Sequence, residues 1–263
     1  MEEGWLKDKC LVVIGGTTGL GLSACEAFIR EGANVVAIGR NPESVQKASD
    51  TLKYALVKSG DATLEGTAEQ AIEDCVKRFG GFHGLYHVAG GSGRRSGDGP
   101  LHDMTREGWD FTLNLNLTSL MLSNQAAIRY FLGKKQAGSI LNVGSVLGYS
   151  PSPKYFATHA YAAAKAAAIG FTRAIASYYA ASDVRVNLLA PALVETPMAQ
   201  RAANDERILS FIKTKQPLNG GRIGASTDLD GAAVYFMSDY SRFTTGQILS
   251  VDGGWDISEG QFN

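Results

Sequence analysis

Leu11-Val12-Val13-Ile14-Gly15-Gly16-Thr17-Thr18-Gly19-Leu20-Gly21 is the stretch on which the fold turns. Four apolar residues in a row read as a strand buried on both faces. Leu22 to Arg30 then read as a helix. A glycine-rich turn between such a strand and a helix N-terminus lets backbone amides approach a pyrophosphate, and the helix dipole with its open N–H groups holds the charge.

A second apolar run, Asn34 to Ile38, follows at the distance a β-α-β unit requires. It ends in Gly39-Arg40-Asn41. A carboxylate that would hold a free ribose 2′-hydroxyl is missing between Asn34 and Pro42, and Arg40 stands where a 2′-phosphate needs a cation. The expected cofactor is therefore NADP, with NAD possible.

The alternation continues to the end of the chain. Helices are expected near 42–53, 65–79, 105–133, 157–180 and 226–238. Strands are expected near 55–59, 84–88, 139–143, 184–189 and 247–251, with a partly helical, less regular segment over 196–222. Strands alternating with helices throughout predict an α/β fold, a doubly wound parallel sheet of the Rossmann-like kind, as a single domain over 1–263.

Composition narrows the function. The 263 residues are 44% hydrophobic, enough for one large core. Lys plus Arg is 25 and Asp plus Glu is 26, for a net charge of −1, which argues against nucleic acid or an anionic membrane as partner. Cys10, Cys25 and Cys75 have no metal-type spacing, nor do His83, His87, His102 and His159, so no metal is expected. Met1 to Trp5 contain no basic segment leading into an apolar one, and no apolar stretch is long enough to span a bilayer, so a cytoplasmic location is expected.

Tyr161 and Lys165 lie four residues apart within a predicted helix, so their side chains rise from one face. Lowering a phenol pKa by about 3 units takes ~4 kcal/mol. One ammonium at ~4 Å and an effective dielectric of ~20 supplies about that much. The spacing thus suits a tuned general acid/base. The same helix is small and apolar on nearly every side, through Ala160, Ala162 to Ala164, Ala166 to Ala168, Gly170 and Ala174. A helix of that kind needs cover beyond its own sheet, which predicts a homo-oligomer, dimer or tetramer, with a twofold axis through this surface.

In order along the chain, these pieces resemble the short-chain dehydrogenase/reductase family over essentially its whole length. Gly15, Gly19 and Gly21 match its glycine pattern, with Ile14 replacing the usual threonine. Asp61 matches the acidic residue that contacts the adenine amino group, and His87-Val88-Ala89-Gly90 stands where the family has Asn-Asn-Ala-Gly. Asn116, Ser145, Tyr161 and Lys165 match the catalytic set. Pro191-Ala192 replaces a usual Pro-Gly, and Thr196 matches the threonine beyond it.

The resemblance implies hydride transfer between a nicotinamide and a carbonyl or alcohol carbon of a ketone, a ketoacyl compound or a secondary alcohol. Tyr161 would act as general acid/base. Lys165 would lower its pKa and bond the nicotinamide ribose, Ser145 would polarise the substrate oxygen, and Asn116 would hold a relay water. The cofactor would be held by Gly15, Thr17, Thr18, Gly19, Leu20, Gly21, Arg40, Asp61, Ala62, Ala89, Gly90, Tyr161, Lys165, Pro191, Val194 and Thr196. Because Ile14 and Val88 are both apolar, an apolar contact between them is expected to replace a polar link of the family.

Three segments are expected to wall the substrate pocket: 91–100 with Arg94 and Arg95, 147–160, and 193–222. Paired arginines in the first fit an anionic substrate group as well as simple solvation. Two rivals are a non-catalytic dinucleotide sensor or scaffold and a cofactor-independent lyase on the same fold. The lyase relatives carry Arg in place of the lysine and lose the nucleotide-binding glycines, whereas Lys165 and the 15–21 loop are intact; a sensor would show erosion of Ser, Tyr or Lys.

Overall fold

In the computed structural model, which describes residues 4–260, the opening run forms β1 (Cys10–Ile14), buried at every position. Met1 to Glu3, part of the N-terminal reading above, lie outside the described residues. The helix that follows, α1 (Gly19–Arg30), begins three residues earlier than the pattern predicts, because the glycine turn itself winds into its first turn. Then come β2 (Asn34–Gly39), α2 (Pro42–Thr51), β3 (Leu56–Ser59), α3 (Thr67–Phe79) and β4 (Gly84–His87). Asn41 caps α2 by accepting the amides of Glu43 and Ser44, with Pro42 at the first helical position.

The long helix expected over 105–133 is interrupted. α4 (Arg106–Leu113) runs into one π turn (Asn114–Thr118) before α5 (Ser119–Lys134). The remaining elements are β5 (Gly138–Val143), α6 (His159–Tyr179), β6 (Val184–Pro191), α7 (Gln200–Ala203), α8 (Glu206–Lys215), α9 (Asp230–Met237) and β7 (Ile248–Val251).

Among the described residues seven strands form one parallel sheet, in the order β3-β2-β1-β4-β5-β6-β7. Strand order reverses at β1, which pairs with β2 on one edge and β4 on the other. In sheets of this type a crevice opens at that point, beyond the carboxyl ends of the strands.

Side-chain alternation splits the core into two layers. Leu11 and Val13 pack with Phe28 of α1 and Phe236 of α9, whereas Val12 and Ile14 pack with Ile72 of α3 and Phe131 of α5. Burying a ring such as Phe28 contributes on the order of 2–3 kcal/mol. This alternation corrects one expectation. Ile14 belongs to the α3/α5 layer and Val88 to the α1/α9 layer, so the two side chains form no replacement contact. The backbone links the strands there instead: the amides of Val88 and Ala89 both donate to the Ile14 carbonyl.

Candidate active site

Residues at the carboxyl end of β5 meet the first two turns of α6. Val143 ends β5, and its carbonyl accepts a 2.9 Å bond from Lys165 Nζ. Two residues on, the Ser145 hydroxyl accepts the Leu147 amide and opens a single 3-10 turn, Val146–Gly148. Gly148 lets that turn press on α6, since a Cβ there would sit 2.8 Å from the Ala166 nitrogen. Ser145, Tyr161 and Lys165, separated by 20 residues of sequence, are thereby brought together.

Their electrostatics differ from the expected tuning. Burial pushes the Tyr161 phenol up to about 12, and its hydrogen bond with Ser145 offsets this only in part. Burial pushes Lys165, 3% exposed, down to about 8. Its ammonium lies 5.6 Å from the centre of the Tyr161 ring, over the face of the ring. In this geometry desolvation is the larger influence, and the phenol stands above its ordinary value.

Asn116 sits in the π turn and is wholly buried. Its amide nitrogen donates to the carbonyls of Gly91 and Thr112, and its oxygen accepts the Gly91 amide at 3.0 Å. A side chain so committed ties Gly91, the first residue of the 91–100 segment, to the π turn. Gly90 fits between Asn116 and Lys165: a Cβ would lie 2.7 Å from Asn116 Oδ1 and 3.4 Å from Lys165 Nζ. His87, behind them, is buried with Nδ1 2.6 Å from the Ser123 hydroxyl. Burial, with Lys165 nearby, pushes its pKa down to about 3, so it is neutral.

The predicted nucleotide residues line the crevice. Gly15 has φ +89°, and a Cβ on it would lie 2.6 Å from the Ala89 nitrogen. A Cβ on Gly21 would overlap the Gly15 carbonyl, and one on Gly39 would overlap the Thr17 hydroxyl. Thr18 precedes α1 without a side-chain cap bond, which leaves the amides of Gly19, Leu20 and Gly21 for an anion. A dinucleotide fits this cradle, which closely approaching backbone lines and a helix N-terminus closes.

Arg40 lies 3.8 Å from Asp61, beside Ala62. Burial works to raise the Asp61 pKa, but bonds from the Thr63 amide and hydroxyl, followed by the Arg40 charge, hold it below the usual carboxylate value. Across the crevice, Pro191 ends β6 and Val194 bridges to Gly224. The Thr196 methyl would lie 3.1 Å from a Cβ on Gly19.

The segments 147–160 and 193–222 close into one aromatic cluster around Trp255, whose ring centre lies 5.7 Å from Phe156 and 5.9 Å from Phe211. Trp255 and Gln216 carried no local signal in the sequence. Gln216, 2% exposed, accepts the Leu193 amide and donates to the Leu193 carbonyl, fixing the segment after β6. Arg201 donates to the Tyr155 carbonyl at 3.1 Å. Burial first, and the charge of Arg201 second, hold Arg94 below its usual pKa.

Loop 91–100 is also joined to α6. Asp98, 3% exposed, accepts the amide of Ala160 on one carboxylate oxygen and that of Tyr161 on the other, both at 3.0 Å. Sequence reading passed over this residue because its partners are 62 and 63 positions away.

Comparisons with known proteins place the chain among oxidoreductases. A family model described as enoyl-(acyl carrier protein) reductase matches residues 15–256. The chain is 33% identical over 253 residues to the 3-oxoacyl-[acyl-carrier-protein] reductase FabG of Chlamydia trachomatis, covering 96% of this chain and 99% of that protein. It is 32% identical to 2-(S)-hydroxypropyl-CoM dehydrogenase 3 of Xanthobacter autotrophicus, over 95% and 97% of the two chains. A short-chain type dehydrogenase/reductase from Mycobacterium ulcerans superposes with a TM-score of 0.88 at 27% identity, over 96% of this chain and 91% of that one.

Proposed function

The chain belongs to the short-chain dehydrogenase/reductase family and is an NAD(P)-dependent oxidoreductase, and on that premise we propose that it interconverts a carbonyl compound and the corresponding secondary alcohol with Tyr161 as general acid/base. The observation that carries this reading is the convergence of Ser145, Tyr161 and Lys165 at the end of β5, beside Gly90 and the glycine cradle. A nicotinamide held in that cradle would supply the hydride chemistry.

The protein's own residues handle the oxygen and its proton. At neutral pH the Tyr161 phenol is protonated, the state from which a carbonyl oxygen takes its proton during reduction. In oxidation the same oxygen receives the proton of the alcohol. Ser145, bonded to the phenol, donates to the substrate oxygen as charge develops on it. Lys165 is still protonated at pH 7, and its cation next to the phenol favours the phenolate as that forms. Asn116 keeps Gly91, and with it the pocket loop, in place.

NADP is the proposed form of the cofactor, because Arg40 and Asn41 follow β2 where NAD-type sites carry a carboxylate. Arg94 in the 91–100 segment, with the Arg201 charge acting on it, supports a substrate bearing an anionic group, such as a keto acid or an acidic thioester. The open row Ala166, Ala167, Gly170 and Ala174 on α6 supports the twofold assembly proposed from the sequence.

The test is Tyr161→Phe, which removes the proton and leaves the ring. Turnover should fall by at least about 10²-fold while NADPH still binds by fluorescence titration. A variant that turns over normally would defeat the assignment.

A further inference from the structure

We propose that Asp98 is a positioning residue for catalysis: its buried carboxylate caps the helix that carries Tyr161 and thereby fixes where the phenol sits. The inference rests on the acid/base role proposed for Tyr161.

The first four amides of an α-helix have no partner within the helix and must find one elsewhere. At the start of α6 every one of them is accounted for. His159 N–H donates to the Gly99 carbonyl at 3.2 Å. Ala160 and Tyr161 donate to the two oxygens of Asp98 at 3.0 Å each. The cap residue's own amide, Thr158 N–H, donates to the Phe156 carbonyl at 2.8 Å, and the regular i→i−4 ladder then begins with Ala162 N–H on the Thr158 carbonyl at 3.0 Å. Thr158 occupies the cap position, yet its hydroxyl makes no cap bond. The loop thus does the work usually left to the helix's own cap residue.

The loop is built to deliver that carboxylate. Asp98 N–H donates to Gly93 at 3.1 Å, and Thr105 N–H donates to Gly97 at 3.1 Å. Gly97 takes φ +99°, and a Cβ on Gly108 of α4 would overlap the Gly97 carbonyl carbon, so loop and helix touch backbone to backbone. A negative charge at a helix N-terminus also meets the positive end of the dipole.

Why this bears on chemistry, and not on stability alone, follows from where the strain of its loss would fall. α6 has 21 residues, and Ala164, Ala168, Thr172 and Ala176 bury its length. Lys165 is tied separately to Val143. Losing the cap therefore loosens the first turn, in which Tyr161 is the third residue, while the second turn and the nucleotide cradle stay put. A misplacement of about 1 Å at a reacting group can cost on the order of 10²-fold in rate.

The experiment compares Asp98→Asn and Asp98→Ala in the full chain, with Tyr161→Phe as control. It measures kcat, both KM values, NADPH affinity by fluorescence, and hydrogen exchange of amides 159–162. In Asp98→Ala, kcat should fall about 10- to 100-fold with cofactor affinity within about twofold, and the Ala160 and Tyr161 amides should lose protection. Asp98→Asn, which keeps one acceptor oxygen and the shape, should fall in between. Adding Thr158→Asp to Asp98→Ala rebuilds a cap from the helix side and should recover much of kcat.

A wild-type kcat in Asp98→Ala overturns the inference. So does a loss of kcat matched by an equal loss of cofactor affinity, which marks general damage. The control separates the two readings: normal turnover in Tyr161→Phe defeats the acid/base role itself, whereas a dead Tyr161→Phe beside an unimpaired Asp98→Ala defeats the positioning role alone.

Discussion

Lys165 Nζ donates to the carbonyl of Val143 at 2.9 Å, so a charged amine on a residue only 3% exposed is anchored to the last residue of β5. Such an anchor holds a cation where burial resists it.

The cost should be visible as stability. Burial lowers the Lys165 pKa from 10.5 to about 8. Below the lower value the amine is charged in both folded and unfolded states, and the folded state bears the full desolvation penalty, on the order of 3 kcal/mol. The penalty fades as pH rises from about 8 to 10.5. Lys165→Met should therefore gain about 1–2 kcal/mol in urea unfolding at pH 7, after subtracting the lost bond to Val143. The gain should shrink by pH 10, and turnover should be lost at both.

His87 predicts a dependence of the same sign in a lower window. Its folded pKa is about 3, down from 6.5, so the unfolded chain takes up a proton first as pH falls through that window. The penalty is absent above pH 6.5 and grows at about 1.4 kcal/mol per pH unit below it. Between pH 7 and pH 5, wild type should lose about 2 kcal/mol more stability than His87→Asn. Equal losses would show that the imidazole titrates normally.

An anionic substrate group should be read by Arg94 and Arg201, and not by Arg95. Arg94→Ala and Arg201→Ala should each lower kcat/KM for an α-keto acid by about tenfold, as the loss of one charge-assisted bond implies. Activity on a neutral ketone of similar size should be unchanged, and Arg95→Ala should resemble wild type on both. Equal effects on the two substrates would remove the anion site.

Association through α6 is tested by charge. Ala167 is exposed in the isolated chain and lies in the small-residue row that would meet a twofold mate. Ala167→Glu should convert the oligomer to a smaller species by light scattering while leaving monomer helicity intact. An unchanged mass would place the interface elsewhere.

What could be read in advance was local in its physics. Gly15 and Gly21 announce themselves because only glycine allows the approaches to Ala89 and to the Gly15 carbonyl, and the buried run before them fixes β1. The four-residue spacing of Tyr161 and Lys165 showed one face of a helix, and the structure keeps it. What the spacing could not carry was the dielectric: the depth of burial, which raises the phenol and lowers the amine, depends on the packing of α6 against β5 and its following turn. Asp98 and Gln216 act across long sequence gaps, and nothing beside them in the chain hints at it. Ile14 and Val88 misled because adjacent strand ends look like neighbours until side-chain alternation is assigned.

The π turn at Asn114–Thr118 amounts to one supernumerary residue in an otherwise continuous rod from Arg106 to Lys134. The widened turn takes up that extra residue without changing the phase of the helix beyond it, so excising one amino acid there would let the rod relax to plain α geometry with Phe131 still stacked on Phe82. What the deletion would remove is the local offset that carries Asn116 to Gly91. A one-residue deletion at this joint should thus leave the rod packed and free the loop, which makes the extra residue a fitting of the site and not of the core.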